Sequence, residues 1–118
     1  SNLLKEIKNL YFQNLKWIST LDLKSNKIVL IESGSFSNLS NLKKLYLNLN
    51  KIFYLEPNLF ENLIALEILD LSFNRIETLS PKLFSNLGKL IQLNLRKNNL
   101  KNLPEKLFDN LLSLQTIN

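Results

Sequence analysis

Residues 42–65 read LKKLYLNLNKIFYLEPNLFENLIA, and residues 66–89 read LEILDLSFNRIETLSPKLFSNLGK. Aligned without a gap, the two stretches share leucine at their first, fourth and sixth positions, asparagine at the ninth and phenylalanine at the nineteenth. The same 24-residue period runs through the chain, since asparagine stands at 26, 50, 74 and 98. Self-similarity at a fixed period of this length indicates a stack of repeated units, in which each unit buries its apolar face against its neighbours.

The apolar residues of each unit predict one short strand. Leu21-Asp22-Leu23 alternates apolar and polar residues, as do its copies, which is the period-2 pattern of a half-buried strand. A strand that recurs through a crossover predicts a parallel sheet with right-handed connections. The leucines at the fourth and sixth positions then point inward, and the residues between and beside them lie on one exposed, concave face.

Two other columns have structural interpretations. The chain turns sharply after each strand, and an amide side chain offers both a donor and an acceptor to the backbone groups of that turn. We therefore expect a structural rather than a ligand-binding role for Asn26, Asn50, Asn74 and Asn98. The phenylalanine column is expected to fill the convex side of the core as a stacked spine; it consists of Phe36, Phe60, Phe84 and Phe108.

The pattern LxxLxLxxNxIxxLxxxxFxxLxx resembles the leucine-rich repeat family. Its length and its Phe-x-x-Leu segment are similar to the type common in extracellular animal receptors, such as Toll-like receptors and secreted immune proteins. The resemblance implies an α/β solenoid, a horseshoe arc with one short parallel strand per repeat on the concave face and loops and 3-10 turns on the convex side. It implies recognition of a partner but not which one, because one fold serves many functions.

The repeat frame divides the chain into a single domain, 1–118, of about five repeats. Its units are a partial repeat at 1–17, full repeats at 18–41, 42–65, 66–89 and 90–113, and a partial repeat at 114–118. Neither end has a polar or disulfide-bonded cap, so we expect an interior stretch of a longer ectodomain. No apolar run is long enough to span a membrane, and no signal peptide is visible. The absence of cysteine is neutral, because cysteines of such proteins lie mostly in the caps.

The concave face is the expected site for a partner. Its columns vary from repeat to repeat, as they would where the fold makes no demand on the residue. Tyr46 is the best single candidate for a contact, because tyrosine combines a large apolar area with a polar tip. The candidate ligand-binding residues are Lys44, Tyr46, Ile68, Asp70, Asn94 and Arg96.

One N-glycosylation sequon is present, Asn38-Leu39-Ser40. A glycan at Asn38 would indicate a secreted protein. The alternative is a structural role, because asparagine occupies the same repeat position without a sequon at 14, 62, 86 and 110. In that case the side chain is expected to bond within its own Phe-x-Asn-Leu turn.

The net charge of +5 raises the question of an acidic partner. Lys27, Lys51 and Arg75 fall at one repeat position and form a short positive row, which would attract glycosaminoglycans, phosphates or an acidic protein surface. A solvated flank is the plainer interpretation. With no aromatic residues between the three charges, the row gives little support for nucleic acid, and no nucleic-acid partner is expected.

Catalysis is not expected. Without histidine or cysteine the usual nucleophile–base pairs and zinc sites are lacking, and no metal or cofactor is predicted. Asp22 and Asp70 share one column at a separation near that of inverting glycosidases, but no pocket can be inferred on an open, solvated sheet.

Two functions remain from the sequence. The first is a recognition or adhesion module of an extracellular or cell-surface receptor or secreted innate-immune protein, which binds a protein or a glycan- or lipid-bearing ligand. The second is a cytoplasmic leucine-rich repeat scaffold that holds another protein on the same face.

Overall fold

A computed structural model describes residues 3–118, and within that range it contains strands and turns but no helix. The strands are β1 (Glu6–Ile7), β2 (Thr20–Asp22), β3 (Leu30–Ile31), β4 (Lys44–Tyr46), β5 (Ile68–Asp70), β6 (Gln92–Asn94) and β7 (Thr116–Ile117). Five of them form one parallel sheet in the order β2-β4-β5-β6-β7. A two-stranded parallel sheet, β1-β3, lies apart from it.

The large sheet confirms the predicted solenoid. Its strands pair with a shift of one full repeat, so that Leu45 lies opposite Leu69, which in turn lies opposite Leu93. These three leucines are buried, and so are Leu47, Leu71 and Leu95 two residues further on. The alternation that predicted the strands therefore also places the two leucines of each repeat in the core.

Pairing continues beyond the three residues of each strand. The Leu47 N–H donates to the Asp70 carbonyl at 2.9 Å, and the Leu49 N–H donates to the Ser72 carbonyl at 3.1 Å. The convex side is built from successive turns closed by bonds from residue i+3 to residue i, for example from the Leu63 N–H to the Phe60 carbonyl at 3.1 Å. These are 3-10-type turns, as the family resemblance implies.

The small sheet was not predicted from the sequence. It joins the first two repeats where β1 and β3 pair, and the N–H groups of Val29 and Glu32 extend it by donating to Lys5 and Ile7. Proline stands close to the same point of the later repeats, and a proline nitrogen cannot donate to a ladder. These prolines are Pro57, Pro81 and Pro104.

The phenylalanine column forms the predicted spine. Successive ring centroids from Phe12 to Phe108 lie 6.1, 6.3, 6.4 and 6.4 Å apart, with interplanar angles of 19°, 12°, 8° and 9°. Neighbouring strands of a sheet lie only about 4.8 Å apart. Because each repeat is thicker at its phenylalanine than at its strand, the stack curves, and the strands line its concave side.

Two phenylalanines of one repeat offer a matched test of this spine. Phe60 is fully buried, whereas Phe53 is 49% exposed. We expect Phe60→Ala to lower the free energy of unfolding by about 3–5 kcal/mol, because it leaves a cavity between two stacked rings. Phe53→Ala should change it by about 0.5 kcal/mol or less. Urea titration followed by circular dichroism measures both, and equal losses would contradict the proposed role of the spine.

Candidate functional site: the concave face and its support

The ninth-position asparagines join the repeats from inside. Asn74 Nδ2 donates to the carbonyls of Leu47, Leu71 and Ser72 at 3.0, 3.1 and 3.2 Å. Its Oδ1 accepts the N–H of Ile52 at 3.0 Å. One side chain therefore ties its own repeat to the preceding one through four backbone groups.

The same arrangement recurs along the column. Asn50 Nδ2 donates to Leu23 and Leu47, and its Oδ1 accepts the Ile28 N–H at 3.1 Å. Asn98 Oδ1 accepts the Ile76 N–H at 3.0 Å. Asn50 and Asn74 are 8% and 7% exposed, so a ligand could not reach their bonding atoms without opening the stack. These contacts support a structural role for the column.

The residue before each asparagine adopts a left-handed backbone. Ser25, Leu49, Phe73 and Lys97 have φ of 58°, 59°, 56° and 59°. This conformation costs an L-residue about 1–2 kcal/mol, and glycine usually occupies it. The turn is held in place by the hydrogen bonds of the asparagine side chain on one side and by the continuing hydrogen bonds of the sheet on the other. It directs these four side chains outward.

The convex asparagines also join repeats, which corrects the expectation of a bond within their own turn. Asn38 Nδ2 donates to the Gln13 carbonyl at 3.0 Å, 25 residues earlier. Asn62 and Asn86 make the same bond to Ser37 and Glu61. The spacing between turns decides this, because the preceding turn lies within reach of the amide. Asn38 is exposed, so a glycan there would compete with a repeat-to-repeat bond.

The sheet register gathers the candidate contact residues on the concave face. Tyr46 lies between Asp22 and Asp70, and Asp70 lies opposite Asn94. Lys44 lies opposite Ile68 in the neighbouring column. Tyr46, Ile68, Asp70 and Asn94 are partly buried, whereas Lys44 and Arg96 are exposed and lie nearer the margins of the face.

The fifth position has a backbone role that the sequence did not reveal. Asp70 Oδ1 accepts the Ser72 N–H at 3.0 Å and the Ser72 hydroxyl at 2.6 Å. Asn94 Oδ1 accepts the Arg96 N–H at 3.0 Å, and Asp22 Oδ1 accepts the Lys24 N–H at 3.1 Å. The expectation that the fold makes no demand on this column was therefore wrong. A short Asp or Asn side chain here bonds the backbone two residues on.

Tyr46 departs from this rule. Its phenol oxygen is too far from its own backbone to accept the N–H two residues on. The same strand exit carries a further cost, because Asn48 Oδ1 is buried without a hydrogen-bond partner within residues 3–118. The repeat at 42–65 thus forgoes a bond that its neighbours make, in exchange for an aromatic side chain on the concave face.

A shallow depression of about 280 Å³ adjoins the tyrosine. It spans four strands, and its wall changes from Tyr46 and Ile68 at one end through Asp70 to amide and hydroxyl groups at the other. Those polar groups belong to Gln92, Asn94, Thr116 and Asn118. The depression offers one apolar end, one carboxylate and several neutral donors and acceptors.

A second depression, of about 310 Å³, lies away from the concave face beside the small sheet. Lys8 Nζ lies 2.7 Å from Glu6 and 4.0 Å from Glu32 there. The hydrogen bond that Lys8 donates to the Glu6 carboxylate raises the pKa of Lys8 above its ordinary value. These charges are exposed and already paired, so they form a surface ion pair rather than a binding site.

Comparison with known proteins identifies the class. The leucine rich repeat family model matches residues 1–52, 16–76, 40–100 and 64–118, and the chain therefore belongs to the leucine-rich repeat family. Members of this family with such arcs are protein-interaction modules and in general are not enzymes. No curated protein matches the sequence significantly.

Solved structures of immune receptors and related proteins share the fold. The chain is 35% identical to a chain of the TLR13–ssRNA13 complex, with a TM-score of 0.87. It is 28% identical both to a chain of the LRIM1/APL1C complex, with a TM-score of 0.95, and to a chain of the Toll–Spatzle complex from Drosophila, with a TM-score of 0.84. The matches cover 98%, 98% and 97% of this chain but only 17%, 22% and 15% of those chains.

Between residues 3 and 118 there is no helix of the length and apolarity that crossing a membrane would require. The same residues contain no cluster of three or more acidic side chains arranged to hold a metal ion.

Substitutions at Asp70 separate its backbone role from its charge. Asp70→Asn retains an oxygen for the Ser72 N–H, and we expect nearly unchanged stability. Asp70→Val leaves that N–H and the buried hydroxyl of Ser72 unpaired, and the free energy of unfolding should fall by about 1–3 kcal/mol. Thermal and urea unfolding measure both changes. If Asp70→Val were as stable as Asp70→Asn, the proposed backbone role would be refuted.

Proposed function

We propose that this arc recognises a partner protein, or a glycan- or lipid-bearing ligand, on its concave face, with Tyr46 as the central contact. The observation that carries the proposal is the presence of Tyr46 where Asp22, Asp70 and Asn94 bond the backbone. The tyrosine gives up that bond, and proteins tend to give up stability at functional positions.

The surroundings of Tyr46 suit a binding contact. The backbone of Tyr46 is paired with a strand on each side, and a large side chain with few rotatable bonds loses little entropy on binding. Ile68 and the depression beside it supply apolar area. Asp70 keeps Oδ2 free of the bonds that occupy Oδ1, so it can accept a hydrogen bond from a partner. Lys44 and Arg96 supply positive charge at the margins.

Extracellular or cell-surface location belongs to the proposal. It is supported by the similarity to Toll and TLR13, whose structures contain the partners Spatzle and ssRNA13. The alternative function, a cytoplasmic scaffold, would use the same face. A hexose-containing adduct on Asn38 of the natural protein, found by mass spectrometry, would exclude the cytoplasmic alternative.

Photo-crosslinking tests the concave contact directly. A benzophenone amino acid replaces Tyr46 in one variant and Tyr54 in the control, since Tyr54 is an exposed tyrosine of the same repeat outside the sheet. After incubation with the extracellular fluid of the source organism, we expect a discrete adduct from position 46 and none from position 54.

A second variant guards against non-specific capture. Asp70→Asn preserves the backbone bond but removes the charge, and it should weaken the adduct at position 46 while the fold persists. Adducts that form equally at both positions, or that ignore Asp70→Asn, would contradict recognition through this part of the concave face.

A further inference from the structure

One flank of the solenoid carries an ordered grid of side chains. After each strand, residues alternate between the core and solvent. Leu49, Lys51 and Phe53 are exposed, whereas Asn50 and Ile52 between them are buried. The other three repeats follow a similar alternation, except that Ser25 and Val29 are only partly exposed and that Asn26, Asn98 and Leu100 are only partly buried. Each therefore presents three side chains, and the four sets lie side by side as Ser25, Lys27, Val29; Leu49, Lys51, Phe53; Phe73, Arg75, Glu77; and Lys97, Asn99, Lys101.

Backbone bonds fix the spacing of this grid. The Lys51 N–H donates to the Ile28 carbonyl and the Arg75 N–H to the Ile52 carbonyl, both at 2.8 Å. The Asn99 N–H makes the corresponding bond to Ile76 at 2.9 Å. Hydrogen-bonded segments lie about 4.8 Å apart, so the exposed side chains are held at regular intervals before any partner arrives.

Large apolar side chains lie on both sides of the middle row in the two central repeats. Leu49, Phe53 and Phe73 are 46%, 49% and 44% exposed. Leu49 and Phe73 also stand at left-handed positions, with φ of 59° and 56°, where bulky residues are unfavourable. Neither core packing nor backbone preference accounts for them there. The sequence interpretation found no aromatic residue between the three charges of one row. The structure corrects this picture, because Phe73 and Phe53 lie in the two adjacent rows.

Positive charge runs along the middle row of the grid and continues in the last repeat. The flank has five cations, Lys27, Lys51, Arg75, Lys97 and Lys101, and the single carboxylate of Glu77. Glu77 lies 3.7 Å from Lys101, which leaves four cations without a counter-charge on the flank. The net charge of the whole chain is +5, so most of it lies on this surface.

We propose that this surface, the cationic flank, is a second docking site and that its partner is an acidic protein segment bearing apolar side chains. The proposal does not depend on the concave site. Exposed aromatic residues and leucine beside arginine are the composition of a protein–protein contact. Charge complementarity calls for carboxylates on the partner, opposite Lys27, Lys51 and Arg75.

Other occupants fit less well. Nucleic-acid interfaces are more polar than this one, and although Phe53 and Phe73 have faces on which bases could stack, the aliphatic Leu49 and Val29 beside them do not. The apolar side chains are less than half exposed, so they line a surface and do not project as membrane-inserting residues do. Two copies of this chain could not pair their flanks face to face, because the cations would repel one another.

The test begins with a library of short random peptides displayed on phage and selected against the immobilised chain. The selected peptides are expected to combine carboxylates with leucine or aromatic residues. Their affinity for purified variants is then measured by fluorescence anisotropy. A single-stranded DNA oligonucleotide and phosphatidylserine vesicles serve as the other two probes.

Three paired substitutions decide the outcome. Lys51→Glu with Arg75→Glu should weaken peptide binding roughly tenfold or more, since like charges then face each other. Leu49→Ser with Phe73→Ser should weaken it roughly fivefold or more by removing two of the three large apolar side chains. The control, Lys82→Glu with Lys106→Glu, changes the net charge equally at two exposed positions of the convex side and should leave binding unchanged. Circular dichroism verifies that every variant is folded.

Several results would overturn the proposal. These are selected peptides without acidic residues, equal losses in the flank and control variants, or binding insensitive to Leu49→Ser with Phe73→Ser, which would mean attraction by charge alone. Tighter flank-dependent binding of the oligonucleotide or of the vesicles would assign the surface to a different class of partner.

Discussion

The structure depends on asparagine side chains that bond backbone groups of two adjacent repeats. Where the chain leaves the sheet it turns sharply, and the turn leaves carbonyl and N–H groups inside the stack without backbone partners. Asn50 and Asn74 donate to carbonyls on both sides and accept the N–H of the preceding repeat. An unpaired buried group costs about 1–3 kcal/mol, so a turn without this amide would be expensive at every repeat. No other uncharged side chain of that length offers both functions.

This constraint also determines which residues are free for recognition. With the turn fixed, the strand positions face either the core or the concave surface, and the residue before the asparagine is forced outward in a left-handed conformation. The concave face and the cationic flank are therefore two consequences of one turn. Tyr46 on the first and Phe73 on the second are informative for the same reason, because each occupies a position where the local backbone favours a different kind of residue.

Much of the fold follows from the sequence because each repeat obeys the same short-range rule. The period placed the strands, the inward leucines and the phenylalanine spine, all of which depend on alternation and packing. The features that the sequence did not reveal depend on distances between repeats. Asn38 bonds the turn before its own, and β1 pairs with β3 in two repeats only.

Part of the candidate site was equally hidden. The positions of Tyr46, Ile68 and Asp70 follow from the register. The hydrogen bond from Ser72 to Asp70 depends on how the chain leaves the strand, which only the structure shows. Leu49 and Phe73 look like core residues by composition alone. Only their positive φ, which reverses the direction of the side chain, places them on the surface.

Native-state amide hydrogen exchange tests the central claim most directly. The N–H groups of Ile28, Ile52 and Ile76 lie in turns outside the large sheet, and each donates to the Oδ1 of an asparagine in the next repeat. If those side chains hold the stack together, these three amides should exchange as slowly as those of Leu47 and Leu71 within the sheet, by global unfolding. Exchange of the three isoleucine amides at the rate of exposed loops, while the sheet amides stay protected, would contradict the account.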